Sequence, residues 1–303
     1  MDYFVSLAVF AGIWVVLALS LNILMGYAGQ VSLGQAAFFG IGAYTSAIFA
    51  LRFQQPFAVG FVGAIVITGL VGGFLGLPSL RVRHDFLVLA TMGVNFVVVA
   101  IFNYVDFFGG ALGLIDIPTP RFFGIGNDIP YLILVWLYVG VAVLVSWYVS
   151  KTWAGLALNA VRLNEEAAAA VGISVPRFKI YAFIISAGLA GGAGSLYAHY
   201  LKSLFPGNFN FVESIVILSM VVVGGVGTLR GPILGAIVLR ALPELLREVQ
   251  DYRFTLYGGL IVLMMLFQPT GLLGDDSALL RLWRRWFKPR AERERGAEYE
   301  RAA

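Results

Sequence analysis

Residues 3–25 read YFVSLAVFAGIWVVLALSLNILM, with no charged side chain. A helix rises about 1.5 Å per residue and needs roughly 20 apolar residues to cross a hydrocarbon core. This run is long enough. No basic segment precedes it and no small-residue cleavage site follows it, so it reads as a retained span rather than a signal peptide.

The next ten residues, 26–35, read GYAGQVSLGQ, a polar, glycine-rich interruption, and 36–51 is a shorter apolar segment. Further apolar runs cover 57–77, 86–104, 129–149, 180–198 and 214–229. A short piece at 231–239 runs into Pro243 and Glu244, and a last run at 254–267 ends at Gln268-Pro269. The pattern predicts an all-α membrane protein, a polytopic helical bundle with eight or nine transmembrane helices. The count turns on whether 231–247 crosses the bilayer or inserts halfway.

Composition agrees. The 303 residues are 59% hydrophobic and 13% charged, against about 25% charged in soluble domains. Such a chain cannot cover itself with a water-compatible surface. Cysteine is absent, which excludes disulfides, thiol catalysis and cysteine-ligated zinc. His84 and His199 are the two histidines, far apart, so no histidine metal site and no cofactor is expected. The positive-inside rule puts the N-terminus outside and the C-terminus in the cytoplasm. With nine crossings, fifteen of the twenty-one Lys and Arg residues fall inside, eight of them between Arg281 and Arg301. That Arg-rich tail is interleaved with Glu292, Glu294, Glu298 and Glu300. It reads as a solvated anchor rather than a nucleic-acid site.

Two absences narrow the function. No carboxylate lies at the centre of a span, which argues against a proton-driven carrier. Sodium coupling through backbone carbonyls would leave no such mark. The four lysines follow Ser150, Phe178, Leu201 and Phe287, whereas a P-loop needs Gly before its Lys. Any ATP that drives this chain is hydrolysed by another subunit, so the chain itself is not expected to be an enzyme.

Two constellations remain. In the first, Gln30, Ser32 and Gln35 sit in the break between two apolar runs. Broken helices at membrane depth are tolerated where they are buried in protein or line a water-filled cavity, and in transporters paired breaks mark substrate sites. Gly224-Gly225-Val226-Gly227 is the candidate partner. The other reading is a plain connecting loop. Thr91 and Asn95, at i and i+4, share a helix face; they line the same path or bond a neighbouring helix. The second constellation is the polar loop 151–179. Within it Asn164 is a candidate N-cap, Glu165 and Glu166 suit a positive helix end, and Gly172 suits a helix stop. The segment is either a docking helix for a partner or an ordinary amphipathic loop helix. Small-xxx-small pairs at Gly69/Gly73, Gly72/Gly76, Gly188/Gly192, Gly227/Gly231 and Gly231/Gly235 predict close helix contacts.

Glu166-Ala167-Ala168 followed by Gly172 resembles the EAA signature of ABC importer permeases, without its later Leu-Pro part. Residues 21–44 (LNILMGYAGQVSLGQAAFFGIGAY), 186–197 (SAGLAGGAGSLY) and 223–235 (VGGVGTLRGPILG) closely resemble LivM-type permeases of branched-chain amino acid ABC importers. The resemblance implies a transmembrane permease domain over 1–274, with a cytoplasmic coupling loop at 151–179, and leaves 275–303 as a charged cytoplasmic tail. It implies a bacterial inner-membrane location and a second, LivH-like permease beside it. Two ATP-binding subunits would dock at Glu166, Ala167, Ala168 and Gly172, and a periplasmic substrate-binding protein would deliver the cargo. A urea or short-amide permease shares this architecture, and a stand-alone sodium-coupled carrier or channel is the rival of another class.

Overall fold

The computed structural model describes residues 2–80, 84–120 and 128–245, with 255, 258, 259, 262, 263, 266 and 271–273 beyond them. Among the described residues the regular structure is helical apart from one isolated bridge, Leu114 with Leu204. Helix α1 (Asp2–Asn22) continues into a π-helical turn, Ile23–Tyr27. The chain then turns back as α2 (Gln35–Leu51), α3 (Phe57–Gly76), α4 (His84–Tyr104) and α5 (Asp128–Lys151). Two shorter helices follow, α6 (Trp153–Leu163) and α7 (Glu165–Ala170). The long α8 (Val175–Leu201), α9 (Phe211–Gly224) and α10 (Arg230–Leu245) come next.

Among the described residues, six helices are long and apolar enough to cross a membrane: Tyr3–Tyr27, Phe57–Leu80, Phe86–Tyr104, Ile129–Lys151, Val175–Leu201 and Pro206–Gly224. Gln35–Leu51 is apolar but shorter. The expected eight or nine is thus more than the described residues show. The 231–239 piece belongs to α10, of which 16 residues are described; residues 246 and 247 of the expected 231–247 segment lie outside the described residues. The run at 254–267 lies mostly outside the described residues, as do Arg81, Arg83 and the charged tail. The run expected to continue to Leu229 stops at Gly224, because Gly225 and Gly227 take φ of 128° and 81°, which a helix cannot continue through.

Burial separates a centre from a periphery. In the Val175–Leu201 span 72% of the apolar window is buried, against 22% for Phe86–Tyr104. α8 packs mainly on α3 and α2, and α1 on α5, α10 and α8. The outer helices show Val62, Val66, Leu70 and Phe74 of α3 and Ile133, Trp136, Leu137 and Leu144 of α5 to the surroundings. Water would not tolerate an apolar face of that extent; lipid does.

Small residues make the centre possible. A Cβ on Gly72 would collide with Ala187, and one on Gly42 with the Gly191 backbone. The predicted pairs along α3 and α8 are helix contacts, with Gly73 against Ile184 and Gly76 against Phe183. Gly231 and Gly235 meet Gly224 and Met220 on α9. Gly227 is different: it lies in the break before α10, so Gly227/Gly231 is not a helical pair. A buried polar chain adds to the α2–α8 seam. Ser195 Oγ donates to Ser46 Oγ (2.7 Å), which lies 2.9 Å from His199 Nε2, while His199 Nδ1 lies 2.6 Å from the Pro118 carbonyl. A carbonyl only accepts, so Nδ1 carries the proton and Nε2 accepts from Ser46.

The connections fall at two opposite ends. At one, Arg52 lies 4.5 Å from the Phe107 ring centroid and Leu114 pairs with Leu204. At the other, residues 26–34, α6, α7 and 225–229 gather. Gly42→Val should force α2 off α8 and cost about 1–3 kcal/mol through overpacking. Gly140→Val, where a Cβ meets nothing within 4 Å, should leave stability unchanged. Melting temperatures of the two variants in detergent check the difference.

Candidate functional site

The first break is built from α1. Its last turn widens to a π-helix, a local feature common at functional sites. The chain then reverses through Gly29 at φ 69°, and Gln30 N–H donates to the Leu24 carbonyl at 3.0 Å. This is a glycine-dependent helix stop of the Schellman kind, lengthened by the π turn. Gly26 O, an otherwise orphaned carbonyl, accepts from Arg162 Nη1. The cation thereby sits at the negative end of the α1 dipole.

The second break, 225–229, lies directly against the first. A Cβ on Gly26 would come within 2.7–2.8 Å of the Gly227 backbone. Asn22 binds the two breaks together: its Oδ1 accepts from Gly227 N–H at 2.8 Å and its Nδ2 donates to the Thr228 carbonyl at 2.9 Å. The end of α9 is satisfied from elsewhere, since Leu272 and Leu273 N–H donate to the Val223 and Gly224 carbonyls at 2.8 and 3.0 Å. The structure therefore brings the Gly26–Gln35 and Gly224–Gly227 segments into one node.

Gln30, Ser32, Gln35, Thr91 and Asn95 are all buried, with different bonding. Ser32 Oγ accepts from Gly34 N–H at 3.2 Å. Thr91 Oγ1 accepts from Leu33 N–H and donates to the Val88 carbonyl, both at 3.0 Å. Gln35 Nε2 donates to Ser20 Oγ at 2.6 Å and reaches Ser186 Oγ at 3.4 Å, joining α1, α2 and α8. Asn95 Nδ2 makes a 3.4 Å bond to the Phe209 carbonyl. The Oε1 of Gln35 and Oδ1 of Asn95 have no partner, and Gln30 has none for either side-chain atom. Thr91 lies beside the 30–35 segment, whereas Asn95 faces the turn before α9.

In the loop, α6 and α7 meet at Asn164, the C-cap of one and the N-cap of the other. Its Oδ1 accepts from Ala167 N–H at 2.9 Å, and Gly172 ends the segment at φ 87°. Buried Lys179 pairs with Glu165 at 2.6 Å and ties α7 to α8. Glu166, Ala167, Ala170 and Gly172 are exposed, but Ala168 faces inward and is buried. Exposed Leu163 and Val171 flank the outer face. Of the four residues predicted to couple, Ala168 supports the helix from beneath while the other three are presented outward.

The groove of about 540 Å³ between α3, α5 and α8 holds none of these residues and is lined almost wholly by apolar side chains such as Ile65, Leu70, Val141 and Ile184. Among the described residues no group of His, Cys, Asp and Glu could hold a metal ion. Asn22 and Arg162 were missed by sequence reasoning. An Asn in the last turn of an apolar span was the available signal for Asn22. Asn22→Ala should cost roughly 1–3 kcal/mol, because Gly227 N–H is left buried and unpaired. Asn22→Asp should do no better, since it sets oxygen against the Thr228 carbonyl. Thermal unfolding of both variants measures this.

Comparison with known proteins matches residues 3–268 to the family described as branched-chain amino acid transport system / permease component. The high-affinity branched-chain amino acid transport system permease protein LivM of Escherichia coli K12 is 35% identical, over 92% of this chain and 72% of that protein. LivH of the same strain is 23% identical, over 86% of this chain and 91% of its own length. The L-arabinose ABC transporter permease protein AraH of Azospirillum brasilense is 26% identical, over 79% of this chain and 72% of that protein. No solved structure matches. A family match over nearly the whole chain, on an all-helical set of apolar spans, places this multi-pass membrane protein in the family of branched-chain amino acid transport permease components.

Proposed function

We propose that this chain is the transmembrane permease subunit of an ATP-driven importer that carries branched-chain amino acids across the bacterial inner membrane. The family match over residues 3–268 carries the reading. On this reading its partners are a LivH-like second permease, two ATP-binding subunits and a periplasmic substrate-binding protein. None of the four lysines follows a glycine as a P-loop needs, which supports placing hydrolysis in those ATP-binding subunits. The end bearing α6 and α7 is cytoplasmic, as Arg162, Arg177, Lys179 and Arg230 favour. The N-terminus is then outside.

The exposed face of α7, with Glu166, Ala167, Ala170 and Gly172, is the docking surface for an ATP-binding subunit. Small side chains permit close approach, and exposed Leu163 and Val171 gain from being covered. Ala170→Trp should leave the chain inserted but abolish ATPase co-purification. An intact complex with coupled uptake would move the docking site elsewhere.

The path runs by the first break, with Gln30 as its principal contact, Ser32, Gln35 and Thr91 around it, and Asn95 farther along α4 by the turn before α9. A carboxamide with free donor and acceptor suits an amino acid, whose carboxylate accepts and whose ammonium donates. Gln30→Leu removes an unpaired buried polar group, so stability should hold or rise. Uptake should fall about tenfold, the loss expected for one or two substrate hydrogen bonds. Unchanged uptake would remove Gln30 from the path.

Uptake of labelled leucine into proteoliposomes of the full assembly tests the function itself. Dependence on ATP and on the binding protein, with competition by isoleucine and valine, is expected. Competition by urea instead would assign the short-amide alternative. Uptake without any ATPase subunit that follows a sodium gradient would assign the stand-alone carrier.

A further inference from the structure

One side chain of the loop 151–179 bonds the first helix break and lies beside the second. Arg162 stands in the last turn of α6, two residues before Asn164, which closes α6 and opens α7. Its Nη1 donates to Gly26 O. Its stem crosses Gly29 so closely that a Cβ there would lie 2.7 Å from Arg162 Cγ and 3.3 Å from its Cα. The same Nη1 lies 3.1 Å from where a Cβ on Gly227 would sit. Gly29 and Gly227 both hold positive φ, 69° and 81°, so each segment is a turn whose direction other contacts must fix. Beyond Arg162, the 2.6 Å Lys179–Glu165 pair fastens the first turn of α7 to α8. α7 packs against α6 and shares Asn164 with it, so a displacement that moves the two helices together carries the first break with it or ruptures the charge-assisted Arg162–Gly26 bond, among the stronger bonds available to a side chain.

We infer that Arg162 is a positioning residue for transport, transmitting the displacement of α7 to the paired breaks at 26–30 and 225–228. The inference rests on the reading of α7 as the ATPase docking helix and adds how motion there reaches the membrane interior. A static cap on α1 would use the same Gly26 bond, but it would affect stability and leave the coupling ratio alone. Arg is suited to transmission because its planar guanidinium holds the Gly26 bond in a fixed geometry while its stem packs across Gly29, which a lysine ammonium does not reproduce.

The test uses the full assembly in proteoliposomes with Arg162→Gln and Arg162→Lys, measuring ATP hydrolysed, labelled leucine taken up, ATPase co-purification and melting temperature. Arg162→Gln should retain the ATPase subunits and their hydrolysis while uptake per ATP falls about tenfold, the scale of one lost charge-assisted bond. Arg162→Lys should recover part of that ratio. A wild-type ratio in an intact Arg162→Gln complex overturns the inference. So does a parallel loss of hydrolysis, uptake and melting temperature that Lys does not relieve, which marks a static cap. If the Gln variant does not assemble, the Lys variant decides: a lowered ratio supports the inference and a wild-type ratio overturns it. Failure of the docking reading is seen separately, as unchanged co-purification in Ala170→Trp.

Discussion

The carboxamide of Asn22 accepts from Gly227 N–H and donates to the Thr228 carbonyl, across 205 and 206 residues of sequence. The constraint behind it is general: backbone groups freed where a helix breaks, once buried away from water, must be satisfied by protein. Here several of the freed groups are met by other parts of the chain. Arg162 takes the Gly26 carbonyl, Asn22 takes the edge of 227–228, and the Leu272 and Leu273 amides take the end of α9. None of the three segments completes its bonding alone, so the node forms only when the fold has closed around it.

The rest of the architecture is arranged about that requirement. α1, α2 and α8 are tightly held, by glycine contacts and by the Ser20–Gln35–Ser186 and Ser195–Ser46–His199 bonds. α3, α4 and α5 present apolar ridges outward. The rigid centre therefore ends at the node, and the loop helices stand on its far side. A device that moves from loop to membrane has its shortest mechanical route there.

Much of this was legible in the sequence. Apolar length announced the long spans, GYAGQVSLGQ announced the first break, and Asn164 and Gly172 announced the ends of a loop helix. These are local signals, each read within a few residues. What was not legible depends on tertiary partners. The stop at Gly224 was hidden because an apolar run continues to Leu229, and only backbone conformation distinguishes the two. α6 was hidden inside a stretch that reads as polar loop. The inward turn of Ala168 could not be read from a run of four alanines, in which every position looks alike. The pairing of Gly42 with Gly191 has no spacing signature, since the two glycines belong to different helices. For the candidate site, the sequence named Gln30, Ser32 and Gln35 but could not show that Gln35 is bonded into the helix seam while both amide atoms of Gln30 are unpartnered.

The unity of the two breaks with the docking loop is most directly read by hydrogen–deuterium exchange on the assembled transporter, nucleotide-free and ATP-bound. The account predicts that amides of 26–34 and 225–228 change protection together on ATP binding, with those of α6 and α7. A change confined to α6 and α7, or to one break alone, would contradict it.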